Sequence, residues 1–557
     1  MYGDSMNGKG TQHARSSLVL VSIIAALVLV GCGSGSSKVS AGLGKSKVVS
    51  SGPLIVNTGA APATLDPTET GNDVELGWDG SMYSTLTQPD QVAGPVAGVT
   101  QQVLSPTAVE PYLAESWKFS DDDKTLTFHL RSGLKFPSGD PVDAQAVKWS
   151  LERAIKVGAG GDAVLQETQF KPALFKSISA PNSTTVVINY SRPAPNQPGV
   201  LASPEVAIYD PKLVEAHGGV VEGKANTWLA SHDAGYGPYL LKSYSPGHQL
   251  TLVANPNFFE PAKSKEVTIN FIPDEETLLL DARSGAADVT IGLAGEAAHS
   301  LTGESCCTVV AGTSRRGMFI DLPRFGKVPV FDNQKSREAL AYATPYEAIL
   351  QKVAYGYGKL YFGEWMPSYG WYEPSVGKPH EYNLAKARQL MKESGIRTPV
   401  SVPIYVPIGE IVSREVATAL AGEWAKIGVN AKVDQLAVAE FFEVEKKYTG
   451  ADVELEGPQV VAPTYFWAYD LQCEPKNPDG TSICLPAADK LMTRVQDGAY
   501  IGNKAEEQKV LNEVDEMYIK AVGKIWIYNS QLVSVLSKSI TSYYSSDIPQ
   551  VRLWQKG

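Results

Sequence analysis

One apolar run near the N-terminus, residues 18–30, separates a short leader from a body of more than 500 residues. Lys9 and Arg15 precede the run, which is the charge pattern of a secretory signal. A helix of this length spans only about 20 Å, less than the roughly 30 Å apolar core of a bilayer. The body contains no comparable run of about 18 apolar residues. The sequence therefore predicts an exported body that does not cross the membrane.

The apolar run ends in the sequence Leu-Val-Gly-Cys at residues 29–32, which resembles the bacterial lipobox. That resemblance implies that residues 1–31 are a signal peptide and that the mature chain begins at Cys32. It also implies that diacylglycerol on Cys32 holds the protein at the outer face of the bacterial cytoplasmic membrane. An uncleaved anchor with an incidental cysteine is the alternative. Residues 32–52 are mostly small and polar, so we expect a flexible tether there.

Composition excludes several classes of protein. The chain is 43% hydrophobic and 20% charged, which is too apolar for a disordered chain. Its net charge is −11, and it becomes −12 when Asp4, Lys9 and Arg15 leave with the signal peptide. A net negative charge argues against nucleic acid as a partner. Seven histidines and five cysteines leave little material for a metal cluster, and we predict no metal or other cofactor.

Export makes disulfides possible for the cysteines of the body. Cys473 and Cys484 flank a segment rich in proline, asparagine and glycine, and we expect a disulfide to close it. Cys306 and Cys307 are adjacent in the chain. A disulfide between these two, two free thiols, and pairing elsewhere all remain open for them.

Short strand-like runs alternate with amphipathic segments along the body, which is the pattern of an α/β protein. A buried strand is predicted at residues 54–56. Leu126, Phe128 and Leu130 follow three aspartates with a period of two, which indicates a hairpin with one buried face. Helices are predicted at residues 143–153, 334–343, 384–394, 413–427 and 505–521.

The body also carries a series of longer motifs. They are PYLAESW at 111–117, DDDKTLTFHLRSGLKF at 121–136, SGDPVDAQAV at 138–147, GYGPY at 235–239, NPNFF at 255–259, SGAADV at 284–289, SREALAYA at 336–343 and YNLAKARQL at 382–390. In order and spacing these motifs resemble the peptide-type (family 5) substrate-binding proteins of ATP-binding-cassette importers. The resemblance covers about residues 50–530, nearly the whole mature chain.

The resemblance implies a periplasmic-binding-protein-like type II fold. In this α/β fold two lobes, joined by two crossover strands, enclose an interlobe cleft, and the N-terminal lobe carries an extra subdomain. The implied limits are 53–80, 233–312 and 525–557 for lobe I, 81–232 for its extra subdomain, and 313–524 for lobe II. We expect Gly237-Pro238 to reverse the chain where strands cross between the lobes.

Two positions depart from the family pattern. Pro345 stands where the family continues a helix, so we expect the helix to break or restart there. Asp321 stands where asparagine is common. These departures lie near the expected hinge and cleft.

The resemblance also implies a ligand site. Asp470 is the candidate partner for a ligand ammonium group, with a solvated loop aspartate as the alternative. Tyr465 and Trp467 lie on one face of the same extended segment. The other candidates are Phe362 and Trp365 on a second cleft loop, Asp66 in an LDP motif, and Tyr83 on the helix that follows. Core packing is the alternative for the aromatic residues, and a turn-forming role is the favoured one for Asp66.

The function implied is that of a monomeric receptor that captures a small solute, with an oligopeptide as the leading candidate, and delivers it to a permease with ATPase subunits. A sugar, an opine or a metal complex as solute, and an envelope sensor or scaffold with the same fold, are the alternatives. Nothing in the sequence favours an enzyme. The motifs G-x-S-x-G, H-E-x-x-H and Walker A are missing, and the S-x-x-K at Ser132 lacks its K-T-G partner.

Overall fold

The computed structural model describes residues 52–557 except 70–76, 106, 167–172, 325, 378–379, 409, 446, 448, 457–466, 468–470 and 474–483. Cys32, Tyr465 and Asp470 therefore lie outside the described residues. Among the helices of the described part, none is both long enough and apolar enough to cross a bilayer.

Strands are numbered in chain order. They are β1 Leu54–Thr58, β2 Thr87–Pro89, β3 Gln91–Ala93, β4 Val99–Gln102, β5 Val109–Pro111, β6 Ala114–Phe119, β7 Thr125–Leu130, β8 Phe175–Asn182, β9 Thr185–Tyr190, β10 Tyr239–Ser245, β11 Gln249–Ala254, β12 Glu266–Phe271, β13 Val289–Ile291, β14 Cys307–Asp321, β15 Gly358–Leu360, β16 Val400–Pro407, β17 Val429–Leu436, β18 Ala451–Glu456, β19 Lys524–Ser537, β20 Ile540–Ser545 and β21 Gln555–Lys556.

Helices are named by their residues. The α-helices are Ala144–Val157, Gly160–Gln166, Gln197–Val200, Pro211–Ala216, Glu275–Ser284, Gly295–Ser300, Pro329–Asp332, Gln334–Tyr342, Tyr346–Lys352, Leu384–Glu393, Ile411–Ala425, Val438–Glu445, Pro486–Gln496 and Lys504–Ala521, and two 3-10 helices are Pro204–Val206 and Val551–Leu553.

The largest sheet has the strand order β10-β11-β12-β1-β13-β19-β14-β18-β16-β17, with β15 paired to β19 beside this path. The long antiparallel strands β14 and β19 form its middle. We define lobe I as strands β10, β11, β12, β1 and β13 with the elements packed on them. Lobe II consists of strands β15, β16, β17 and β18 with their helices. Strand β19 pairs with β13 of lobe I and with β15 of lobe II. Strand β14 pairs with β19 along its length and with β18 of lobe II at its C-terminal end, so the chain passes between the lobes at both strands.

The pairing of β14 with β19 is irregular at two places, between Thr313 and Gly317 and between Met318 and Phe319, and the first is the larger. Thr313 is opposite Gln531 on the lobe I side, and Gly317 is opposite Asn529 on the lobe II side. Residues 314–316 of β14 therefore face the single residue Ser530, and we call them the β14 bulge. The bulge lies close to the predicted limit between lobe I and lobe II at residue 313. The detailed limits of the lobes stay a prediction.

A separate four-stranded antiparallel sheet, β6-β7-β9-β8, forms the extra part of lobe I. Helix Ala144–Val157 packs on it, and Leu126, Phe128 and Leu151 are buried between the two. Strands β6 and β7 form the hairpin that the alternating residues predicted. The helix begins where Asp143 accepts hydrogen bonds from the backbone N–H groups of Gln145 and Ala146, as expected for an N-cap.

Most of the other predicted elements are confirmed. Tyr83, which was predicted on a helix, follows a short helical turn at residues 77–79 and lies outside it, and Trp467, predicted in an extended segment, has π-helical backbone. The four predicted helices after residue 330 are observed within two residues at each end. Pro345 separates helix Gln334–Tyr342 from helix Tyr346–Lys352, as its missing N–H requires. The prediction for Gly237-Pro238 is wrong, because strands cross between the lobes at β14 and β19. A side chain at position 237 would collide with the backbone of Met82 and Tyr83, so this glycine permits a close approach inside lobe I.

A buried ion pair joins the loop after β1 to the extra part of lobe I. Arg153, on helix Ala144–Val157, binds both carboxylate oxygens of Asp66, and the two residues are 2% and 0% exposed. The hydroxyl of Tyr209 donates to the same carboxylate at 2.6 Å, and the N–H of Thr68 donates at 3.3 Å. Removing one charge of such a pair leaves the other buried and uncompensated, which costs more than the pair itself contributes.

Arg153→Met should lower the free energy of unfolding by about 3–5 kcal/mol, because the Asp66 carboxylate then has no cation beside it. Urea titration monitored by circular dichroism measures this change. The control is Lys148→Met on the same helix, whose pair with Glu152 is partly exposed, and about 0.5 kcal/mol is expected for it. A loss below about 1 kcal/mol for Arg153→Met would contradict the assignment.

A second buried carboxylate positions a segment of lobe II. Asp515, on helix Lys504–Ala521, accepts a hydrogen bond of 2.6 Å from the N–H of Glu364. A side chain at Gly363 would collide with this carboxylate, and the backbone there has φ of 119°, which favours glycine. Burial raises the pKa of the Asp515 carboxyl from 3.8 to about 7.

This raised pKa predicts a pH dependence of stability. The unfolded chain loses the Asp515 proton near pH 4, whereas the folded chain keeps it to about pH 7. The contribution of Asp515 to the free energy of unfolding is therefore largest at low pH and decreases as the pH rises towards 7. Asp515→Asn keeps an oxygen for the N–H of Glu364 but cannot titrate.

Between pH 4.5 and 7.5, titration of Asp515 should lower the free energy of unfolding of the wild type by about 3 kcal/mol. Asp515→Asn should lack this part of the decrease. Urea titrations at the two pH values measure the difference. Glu516→Gln is the matched control, because Glu516 is the exposed neighbour on the same helix, and it should keep the wild-type pH dependence. Identical pH dependence in wild type and Asp515→Asn would show that burial does not raise the pKa of the Asp515 carboxyl.

Candidate functional site

The parallel strands of lobe I all end towards the β14 bulge. Strand β1 runs parallel to β12 and to β13. Strand β13 lies antiparallel to β19, with Val289 opposite Leu536 and Ile291 opposite Ser534. Because residue 534 is nearer to the bulge than residue 536, the carboxyl ends of these three strands point towards the bulge.

The parallel strands of lobe II approach the same place from the other side. Strand β18 is antiparallel to β14, and its last residue Glu456 is opposite Gly317. Strands β16 and β17 run parallel to β18. The carboxyl ends of parallel strands from both lobes therefore face the β14 bulge. In open α/β sheets the loops at these ends form the ligand crevice.

Several predicted site residues lie on loops at these ends. Asp66 follows β1 of lobe I, and Trp467 follows β18 of lobe II. Tyr465 and Asp470 are close to Trp467 in the sequence, but they lie outside the described residues. The topology thus brings two of the predicted segments to the same crevice from opposite lobes.

The described candidates are all at most 8% exposed in this structure. Asp66 takes part in the ion pair with Arg153. Trp467 is 1% exposed, and its indole N–H donates to the Asp489 carboxylate at 2.9 Å. The N–H of Cys473 donates to the same carboxylate oxygen at 3.1 Å, so Asp489 fixes both residues. Contact of Asp66 or Trp467 with a ligand stays a prediction.

Phe362 and Trp365 follow β15, which pairs with residues 528–530 of β19 beside the β14 bulge. The indole N–H of Trp365 donates to the carbonyl of Leu511 at 3.2 Å. The ring of Phe362 meets that of Tyr346 at 5.4 Å between centroids, in an edge arrangement. Both side chains pack inside lobe II here, which is the alternative that the sequence left open for aromatic residues. Their contact with a ligand also stays a prediction.

Tyr83 lines a cavity in lobe I that reaches β14. Its ring packs against Tyr209 at 4.8 Å between centroids, and its hydroxyl accepts from the N–H of Ala234. The enclosed part of this cavity has a volume of about 80 Å³, which is smaller than the usual range of ligand sites, and its mouth is open to solvent. Polar and apolar side chains both line it. Its polar lining includes Ser84, Gln88, Gln102, Arg315, Ser546 and Arg552.

Sequence reasoning missed these polar residues. Arg315 lies on the β14 bulge, and residues 546–552 come from the C-terminal end of the chain. Arg552 binds Glu260 at 2.9 Å, and its guanidinium lies 5.1 Å from the centre of the Tyr112 ring. The partners of these arginines are hundreds of residues away in the sequence, and no local pattern signals such contacts.

A row of charged residues crosses lobe II beyond the bulge. Asp321 of β14 lies opposite Asp452 of β18 and opposite Lys524 of β19. Lys524 Nζ is 3.7 Å from Asp321 Oδ1. Burial, and then the charge of Asp321, raise the pKa of the Asp452 carboxyl well above its ordinary value. The departure at Asp321 is therefore accommodated by a neighbouring lysine on one side and a carboxyl that favours its neutral form on the other.

The expected disulfide between Cys473 and Cys484 is present, with 4.7 Å between the Cα atoms. The sulfur atoms of Cys306 and Cys307 are also paired in the structure, which selects one of the three alternatives left open by the sequence. Among the described residues no group of three or more histidine, cysteine, aspartate or glutamate side chains is arranged to hold a metal ion.

Comparison with known proteins agrees with this geometry. The Probable D,D-dipeptide-binding periplasmic protein DdpA of Escherichia coli (strain K12) is 29% identical over 388 residues, which cover 69% of this chain and 70% of that protein. A dipeptide binding protein from Pseudoalteromonas sp. SM9913, solved in complex with Met-Leu, matches with a TM-score of 0.76 at 20% identity over 91% of this chain and 100% of that one.

NikA from Staphylococcus aureus, solved in complex with Ni(L-His)2, matches with a TM-score of 0.71 at 17% identity over 90% of this chain and 100% of that one. At such identities the two solved structures show the fold alone, the two-lobed periplasmic-binding-protein-like type II fold. The model of the bacterial extracellular solute-binding proteins, family 5 (middle), matches residues 108–472, which is more than half of the chain. This chain therefore belongs to the family 5 extracellular solute-binding proteins of ATP-binding-cassette importers.

Proposed function

We propose that this protein is a lipid-anchored, monomeric receptor that captures an oligopeptide between its lobes and delivers it to a permease with ATPase subunits. One observation carries the proposal: the carboxyl ends of parallel strands in both lobes face the same bulge of the crossover strand β14. A solute between these loops would contact both lobes at once. It would then stabilise the closed arrangement by its differential affinity for it. The proposed role is binding without chemical conversion of the solute.

Peptide is the solute class that the relatives support. The curated relative is named for D,D-dipeptides, and one structural neighbour was solved with Met-Leu. A peptide offers a charged ammonium group and a regular series of donors and acceptors, which loops from two lobes can satisfy. Asp470 is our candidate for the ammonium partner, and Tyr465 and Trp467 are the candidates for the adjacent wall. The nickel–histidine complex of the other neighbour makes a metal chelate the second candidate solute.

Titration calorimetry of the full-length protein against di- to hexapeptide pools tests the solute class. We expect heat from at least one peptide pool. Oligosaccharides and the Ni(L-His)2 complex, titrated under the same conditions, serve as the comparison. Heat from either of them together with none from any peptide pool would contradict the peptide assignment.

Asp470→Asn should weaken binding of the best peptide at least tenfold, about 1.4 kcal/mol, because the ligand ammonium loses its charged partner. Affinity is measured by calorimetry in the same buffer. The control is Asp497→Asn, an exposed aspartate after helix Pro486–Gln496, which should bind like the wild type. Unchanged affinity in Asp470→Asn would remove Asp470 from the site.

The lipid anchor predicts a change of location in cells. Cys32→Ser removes the thiol that would carry diacylglycerol, so the mature protein should leave the membrane fraction and appear in the soluble fraction. Immunoblots of separated fractions measure this. Retention of Cys32→Ser in the membrane fraction at the wild-type level would mean that another feature holds the protein there.

A further inference from the structure

Side chains from several parts of the chain bind backbone groups of the β14 bulge. Residues 314–316 face only Ser530 of β19, so they cannot continue the regular ladder. Buried backbone N–H and C=O groups need hydrogen-bond partners elsewhere. The described structure supplies these partners from three separate parts of the chain.

The first partner comes from the C-terminal end of the chain in lobe I. Asp547, 5% exposed, accepts hydrogen bonds from the Ser314 hydroxyl at 2.8 Å and from the N–H of Arg315 at 2.7 Å. The segment that carries Asp547 is fixed to lobe I. Its neighbour Ser546 donates to Gln102 at 2.8 Å, and the preceding strand β20 pairs with β4.

The second partner comes from the other crossover strand. The side-chain amide of Asn529 donates to the carbonyls of Ser314 at 3.1 Å and Arg316 at 2.9 Å. The hydroxyl of Ser530 donates to the carbonyl of Arg316 at 3.1 Å. These bonds close the bulge across the strand pair and hold it in one conformation.

The third partner comes from lobe II. The hydroxyl of Tyr369 donates to the carbonyl of Arg315 at 3.2 Å. Tyr369 is buried in the aromatic cluster of lobe II together with Trp365 and Trp526. The residue Arg315 is therefore held from lobe I through its N–H and from lobe II through its carbonyl.

We propose that Asp547 and Tyr369 are positioning residues that set the resting angle between the lobes by holding Arg315 from opposite sides, and so tune solute affinity without touching the solute. The effect on affinity rests on the proposed function, whereas the effect on the lobe angle does not. The bonds from both lobes meet at the bulge, where the pairing of β14 with β18 of lobe II begins, so a rotation of lobe II about the bulge must strain or break the bond from Tyr369. Loss of either bond shifts the population of lobe arrangements, and the apparent affinity follows that population.

Pulsed electron paramagnetic resonance on the full-length protein, without solute, measures the distance between two spin labels, one in each lobe. Nitroxide labels are placed at the exposed residues Glu276 of lobe I and Lys392 of lobe II. We expect the distance distribution to shift or broaden in Asp547→Ala, which removes both carboxylate oxygens, and in Tyr369→Phe. The control is Tyr543→Phe, which removes a buried hydroxyl bond of 2.7 Å to Ser534 inside lobe I and should keep the wild-type distribution.

Peptide affinity of the same variants completes the test. Loss of the single hydrogen bond in Tyr369→Phe predicts a change of about two- to tenfold. Asp547→Ala should change the affinity at least as much, because its carboxylate accepts two hydrogen bonds and lies 3.7 Å from the Arg315 guanidinium. We expect lower affinity where the labels move apart and higher affinity where they approach. Unchanged distances in both variants, or an equal shift in Tyr543→Phe, would overturn the proposal. Shifted distances in a protein that binds no peptide would keep the hinge assignment and contradict the peptide function.

Discussion

The pairing of β14 with β19 is the constraint on which the rest of the structure depends. These strands, of 15 and 14 residues, are hydrogen-bonded from Cys307 to Asp321, and the strands of both lobes extend from them. The ladder is interrupted at residues 314–316 and again between Met318 and Phe319, and side chains from both lobes bind the first interruption. The loops expected to bind solute end at that same place. The proposed rotation and the proposed binding would therefore involve the same segment of the sheet.

Three buried aspartates each accept a hydrogen bond from a backbone N–H group. Asp66 accepts from the N–H of Thr68, Asp515 from that of Glu364, and Asp547 from that of Arg315. Each carboxylate fixes backbone of a loop or of the bulge near the crevice. A buried carboxylate costs free energy unless its oxygens are satisfied, so each of these contacts is specific to one conformation of the segment that it holds.

The local elements and the fold could be predicted from the sequence, because the patterns that indicate them lie in short segments of the chain. Periodicity and capping located helices such as Leu384–Glu393, and Pro345 marked a helix start. The motifs identified the family, and their order implied the two lobes. Side-chain roles were a different matter. A tryptophan in a loop, such as Trp365, has the same sequence pattern whether it faces a solute or packs on a helix, and here it packs.

Long-range contacts were the part that no pattern could supply. Asp547 binds a strand more than 230 residues earlier in the chain, and nothing near either position marks them as partners. The wrong position for the crossover at Gly237 has a similar origin, because a Gly-Pro turn predicts a reversal but not which strands it separates. Asp321 became interpretable once Lys524 and Asp452 were seen beside it.

The central claim is that a peptide bound at the carboxyl ends of both sets of parallel strands draws the lobes together. Small-angle X-ray scattering of the protein, with and without a saturating peptide found by calorimetry, measures this most directly. The account predicts a smaller radius of gyration in the presence of peptide. Binding with no change in the radius of gyration would contradict closure about the β14 bulge.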